Sequence, residues 1–271
     1  MTTHPTSRDD SAPTPRSRAI TIDNGRGERL AARLDLPATD EPRASALLAH
    51  CFTCSKDLRA LRRVAAALTE AGFAVLRLDF TGLGASEGEF EETTFSTNVD
   101  DLLAGARCLG EEVPGPQLFV GHSLGGAAVL AAALRWQKAV AVATIAAPAA
   151  PAHLTQLLEG GLEAVERDGR AVVDIGGRPF TIRSELIDDL RASRLPGALA
   201  DLRRPLLVLH APSDRTVGID QARELFEAAH HPKSFVALDR ADHLLSDPRD
   251  AAYAGQVIAA WASRYVIGET G

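Results

Sequence analysis

The chain has 271 residues, of which 45% are hydrophobic and 24% charged, and it carries a formal charge of −7. That composition is globular, and no apolar run approaches the roughly 18 residues that a bilayer crossing needs. Lys and Arg are scattered among acids instead of forming a basic stripe, which argues against nucleic acid as a partner.

Residues 1–18, MTTHPTSRDDSAPTPRSR, are rich in Thr, Ser, Pro and charge and lack the apolar stretch of a secretory signal. They read as a disordered tail ahead of a single domain over 19–271. From there apolar runs and helical patterns alternate, the signature of a mostly parallel sheet covered on both faces. Eight strands are expected near 19–22, 30–36, 45–49, 73–78, 117–120, 140–145, 205–209 and 234–238. Helices are expected over 58–71, 99–109, 124–136, 221–229 and 251–265. In the second of these Val99, Leu102, Leu103 and Ala106 recur at i, i+3, i+4 and i+7, as one buried helix face requires.

The third strand runs into HCFTCSK, which places Cys51 and Cys54 three apart in a turn. Zinc would want four ligands, and there is no second C-x-x-C. A redox pair is chemically open, because cysteines at i and i+3 in a turn can approach disulfide geometry. Small, semi-buried packing residues are the favoured reading, since free cysteine usually behaves as a small hydrophobe. Three cysteines in a chain of this size make no disulfide scaffold, so a reducing cytoplasm is the expected compartment. Further on, Asp79 and Ser86 lie in the glycine-rich LDFTGLGASEG turn and read as backbone-bonding structural residues.

The next strand ends in LFVGHSLGG: an apolar strand, then G-x-S-x-G, then a helix. A serine exposed on such a sharp strand-to-helix turn needs strained backbone angles and small neighbours two residues away, and Gly121 and Gly125 meet that need. Ser123 is the expected nucleophile. The helix that follows points its first amides at any anion formed there, so Leu124 N–H is an expected oxyanion donor.

Over 148–204 the alternation breaks. AVVDIGGRPFTI carries two β-prone runs joined at Gly176-Gly177, a hairpin signal, and the acidic helix SELIDDLRAS follows. An insertion of this length after a core strand reads as a small lid over the strand ends, where ligands bind in open α/β sheets.

A serine needs a base, and the base an acid to hold its tautomer, in the chain order Ser, Asp, His. Asp214 follows a core strand in HAPSD, and His243 follows the next strand in DRADHLLSD. Asp239 and Asp242 rival Asp214 locally, but they share the histidine's loop, whereas the acid should come from the preceding strand. The other histidines read as tail (His4), elbow (His122), helix end (His230, His231), surface (His153) or strand-end structural residues (His210).

GHSLGG, LDFTGLGASEG, PSD and ADH together resemble the α/β-hydrolase superfamily of serine hydrolases, from about Ala19 to the end of the chain. LLAHCFTCSKD, RLDFTGLGASEG, FSTNVDDL and HPKSFVALDRADHLLSD resemble in particular the hydrolases fused to an OsmC-type (osmotically inducible protein C) peroxidase domain. The resemblance implies an α/β-hydrolase fold with an eight-stranded sheet and carboxylic ester hydrolysis through an acyl-enzyme. It implies no cofactor and no metal. It also implies that Phe52 N–H, in the turn after the third strand, is the second oxyanion donor. Small to medium acyl esters are expected as substrates, with an OsmC-type domain, fused or separate, as a partner. Thioester or amide hydrolysis would use the same triad. The alternative from another class is a non-catalytic binding module for a peroxidase-like partner, and a redox-sensitive oxyanion loop stays open for Cys51 and Cys54.

Overall fold

A computed structural model describes residues 16–266 except 40, 116, 159 and 194. Strands β1 (Arg16–Asp23) and β2 (Arg29–Leu36) form an antiparallel hairpin. β3 (Ala44–Ala49), α1 (Arg59–Glu70), β4 (Phe73–Leu78), α2 (Phe95–Glu112), β5 (Gln117–His122), α3 (Leu124–Arg135) and β6 (Ala139–Ile145) then alternate. After an insertion, β9 (Leu206–His210), α7 (Ile219–Ala228), β10 (Lys233–Ala237) and α8 (Pro248–Ala262) complete the fold. The insertion itself contains α4 (Leu162–Asp168), the hairpin β7 (Arg170–Asp174) and β8 (Pro179–Arg183), α5 (Ser184–Ala192) and α6 (Leu195–Ala198).

The eight-stranded sheet has the order β1-β2-β4-β3-β5-β6-β9-β10. Every pairing from β4 to β10 is parallel, while β2 pairs antiparallel with both β1 and β4. The parallel strands are short apolar runs because both faces are buried, and successive side chains go to opposite cores. Leu47, Leu76, Phe119, Val142 and Val208 join α2, α3 and α7 in one core. Their neighbours Leu48, Val75, Val120, Ala143 and Leu207 join α1 and α8 in the other. This is the layered architecture expected from the alternation.

Among the boundaries that differ from expectation, two have clear local reasons. Residues 16–18 belong to β1, paired with Leu36, Asp35 and Leu34, so the expected tail boundary at 18 is corrected. Composition registers their polar side chains, but ladder pairing uses the backbone. Residues 1–15 of that tail lie outside the described residues. Helix α2 begins at Phe95, a turn ahead of the periodic apolar face, because Thr94 and Thr97 form a reciprocal capping box.

Among the described residues no helix is long and apolar enough to cross a membrane. Leu102 on α2 is fully buried in the first core. Leu102→Ala is expected to cost about 2 to 5 kcal/mol. Denaturant unfolding checks this, and a midpoint unchanged from wild type would contradict the packing described.

Candidate active site

The elbow is built by close approach. Ser123 sits between β5 and α3 with φ 55° and ψ −128°, a left-handed conformation costly for a residue with a side chain. Its N–H donates to Ile145 O at 2.9 Å, and its C=O accepts from Gly126 N–H at 2.8 Å. A Cβ on Gly121 would lie 2.2 Å from Gly125 O, and one on Gly125 would lie 2.2 Å from His50 O. Both glycines are therefore required by the backbone on which they pack.

His243, in the loop after β10, stands between the other two side chains. Its Nε2 is 3.0 Å from Ser123 Oγ and its Nδ1 is 2.8 Å from Asp214 Oδ2. The carboxylate fixes the tautomer: Nδ1–H donates to Asp214, leaving Nε2 to accept from the serine hydroxyl. Asp214 lies in the turn after β9, and its Oδ1 accepts from the N–H groups of Thr216 at 2.8 Å and Val217 at 3.0 Å. Burial pushes the Asp214 carboxyl up. The hydrogen bond from His243, the Val217 amide, the His243 charge and the Thr216 amide outweigh burial, and the pKa is lowered. Asp214 thus stays ionised beside the His243 imidazole.

The residues of the two expected oxyanion donors lie close together. Phe52 and Leu124 line one small cavity of about 10 Å³ with His50, Cys51, Leu83 and Gly125. No hydrogen bond among the described residues takes up either amide. The Phe52 turn is held from below. His50 Nδ1–H donates to Cys51 O at 2.8 Å while its Nε2 accepts from Phe80 N–H at 3.3 Å. Asp79 accepts from Lys56 N–H at 2.6 Å, Lys56 Nζ at 2.7 Å and Ala85 N–H at 2.9 Å. The expected structural role of Asp79 is therefore backbone bonding, extended by a buried ion pair. Ser86 Oγ likewise donates to Asp79 O at 2.7 Å.

Cys51 and Cys54 are joined in a disulfide, which corrects the reading of both as free packing residues. The turn brings their Cα atoms to 5.3 Å, inside the bonding range. Cys108 on α2 is a free thiol. Among the described residues no group of three or more His, Cys, Asp or Glu could hold a metal ion.

Sequence reasoning missed what the insertion touches. Phe180 of β8 packs edge-on against Phe90 at 4.9 Å, and Phe90 meets Phe52 at 5.5 Å. Arg178 Nη1 donates to Thr53 O at 3.3 Å, and His153, expected on the surface, donates from Nε2 to Thr216 O at 3.1 Å. The insertion therefore touches both the Phe52 turn and the Asp214 turn, at the carboxyl ends of the strands. A larger cavity of about 500 Å³ lies elsewhere, lined by Arg16, Arg33, Asp35, Asp57, Arg62 and Arg77 among others. Its Arg77 pairs with Asp35 and Asp57, and no triad residue reaches it.

The chain is similar to known proteins over most of its length. Residues 40–168 match the family model described as serine aminopeptidase, S33. The esterase domain of a Rhodothermus marinus protein, a solved structure, is 51% identical with a TM-score of 0.77, covering 93% of this chain and 99% of that one. The monoacylglycerol lipase of Mycolicibacterium smegmatis is 26% identical over 228 residues, 74% of this chain and 80% of the lipase. The human mitochondrial palmitoyl-protein thioesterase ABHD10 is 39% identical over 79 residues, which span 29% of this chain and only 25% of the thioesterase. The chain belongs to the α/β-hydrolase superfamily.

Three buried histidines surround the triad. Burial, then the charge of His243, lowers the His122 pKa from 6.5 to about 4, and burial likewise lowers those of His50 and His210. His122 Nε2–H donates to His243 O at 2.6 Å, and His210 Nε2–H donates to Val217 O at 2.8 Å. As neutral imidazoles they brace the two loops that carry the triad. Below pH 6.5 the unfolded chain takes up a proton at His122 that the folded chain refuses until about pH 4, and the lowered pKa values of His50 and His210 act in the same direction. Stability therefore falls as the pH falls through that window. His122 alone accounts for up to about 3 kcal/mol of that loss. His122→Gln, which keeps a donor for the His243 carbonyl, is expected to flatten the dependence. Urea unfolding at about pH 7.5 and about pH 4.5 measures it, and equal slopes in variant and wild type would contradict the assignment.

Proposed function

We propose that the protein is a serine carboxylesterase acting on small to medium acyl esters through an acyl-enzyme. The observation that carries this reading is the placement of His243 between Ser123 Oγ and the carboxylate of Asp214.

His243 Nε2 takes the Ser123 proton as Oγ attacks the ester carbonyl carbon, and the carbonyl π pair moves onto oxygen. The N–H groups of Phe52 and Leu124 hold that oxyanion, each worth about 3 kcal/mol when aimed at the tetrahedral oxygen. The intermediate collapses, the C–O bond to the alcohol breaks, and the departing oxygen takes the proton from His243. Water, deprotonated by His243, then attacks the acyl carbon, the bond from that carbon to Ser123 Oγ breaks, and Oγ takes the proton back from His243 as the acid leaves.

The insertion acts as a small lid in this reading. The aromatic run Phe52, Phe90 and Phe180 offers an apolar wall to the substrate, and the exposed Leu244 beside His243 offers another. A thioester is the second reading, favoured by the stretch similar to a palmitoyl-protein thioesterase. Against a non-catalytic binding module stands the intact set of Ser123, His243 and Asp214 in mutual hydrogen-bond reach, which a scaffold without turnover would not need.

Hydrolysis of a chain-length series of p-nitrophenyl esters tests the proposal. Ser123→Ala is expected to lower kcat by about 10⁴-fold or more, and Asp214→Asn by about 10⁴-fold. Rates preserved in folded Ser123→Ala would refute the mechanism. No turnover of any ester by wild type would turn attention to thioesters.

A further inference from the structure

We propose that the Cys51–Cys54 disulfide is a thiol-exchange site that sets the activity of the oxyanion turn, a dithiol reductant switching the enzyme down and reoxidation switching it up. The inference rests on the esterase reading above and goes beyond it.

The bond encloses the residue whose amide is the proposed donor: Phe52 lies between the two cysteines. Within the same loop Thr53 has φ 60°, a conformation that a β-branched residue adopts only when its surroundings impose it. Backbone bonding across the loop is slight, consisting of Cys54 N–H to Cys51 O at 3.2 Å. From the insertion, Arg178 Nη1 donates to Thr53 O at 3.3 Å. His50 and Asp79 fix the flanks of the loop at Cys51 and Lys56, outside its tip. Beside the packing of the Phe52 ring on Phe90, the covalent bond is the constraint that closes the loop around the Phe52 amide.

Access differs between the two sulfurs' residues. Cys51 is buried at 4% exposure, whereas Cys54 is half-buried in an irregular segment. A thiolate of the reductant attacks Cys54 Sγ. The Cys51–Cys54 bond breaks, and its electron pair leaves on Cys51 Sγ, which takes up a proton. The reductant's second thiolate then attacks its own sulfur in the mixed disulfide and expels Cys54, which is protonated in turn. Two electrons pass from the dithiol to the protein, and the reductant leaves as a disulfide.

Dithiothreitol is the probe, with p-nitrophenyl acetate as substrate and alkylation mass to count thiols. Reduction of wild type is expected to free two thiols and lower kcat about tenfold, a fraction of the loss for a missing oxyanion donor, with KM held within about twofold. Oxidised dithiothreitol is expected to restore the rate. The double variant Cys51→Ser/Cys54→Ser should start at the lower rate and ignore dithiothreitol, while Cys108→Ser should behave as wild type. Hydrogen exchange of residues 50–58 should quicken on reduction, in wild type and in Ser123→Ala alike. Unchanged kcat with two thiols freed, or a bond that dithiothreitol cannot reduce in the folded protein, would overturn the inference. Should wild type hydrolyse no ester, the esterase reading fails by itself. Exchange at 50–58 then decides: quickening supports the constraint, and identical exchange refutes it.

Discussion

The site depends on one close contact. The Cα of Gly125, at the start of α3, lies so near the His50 carbonyl at the end of β3 that no side chain could stand between them. That contact seats the first turn of α3 against the turn after β3. Phe52 and Leu124 consequently line one small cavity. A larger residue at position 125 would push Ser123 and the Phe52 turn, the proposed nucleophile and oxyanion turn, apart.

Around that contact the fold arranges charge and donors that do not have to move. Asp214 is held by two backbone amides and holds His243, which reaches Ser123. Neutral buried histidines then tie both triad loops in place: His122 to the His243 carbonyl and His210 to the Val217 carbonyl. A charged group in those positions would alter the field at His243, which carries the serine proton in the proposed mechanism. The depressed pKa of each is thus part of the site's electrostatics as well as a consequence of burial.

Much of this was legible in the residues. G-H-S-L-G announces an elbow because only glycine fits at 121 and 125, and the strand-end positions of Asp214 and His243 follow from apolar runs of strand length. Features whose signal is spread through space were less legible. The capping box of Thr94 and Thr97 extends α2 beyond its apolar face, and β1 starts among polar residues because its pairing uses main-chain groups. The Cys51–Cys54 bond needed the turn geometry, since spacing alone allows both free and bonded thiols. The contacts of Arg178 with Thr53 and of His153 with Thr216 join residues far apart in the chain, which no local pattern encodes.

The central claim is that Ser123 is the activated nucleophile of the chain, and covalent capture tests it most directly. A fluorophosphonate ester should add once per protein, and peptide mapping by mass spectrometry should find the adduct on Ser123, with capture strongly slowed in His243→Ala. An adduct on another serine, such as Ser86, or none on the folded wild-type protein, would contradict the account.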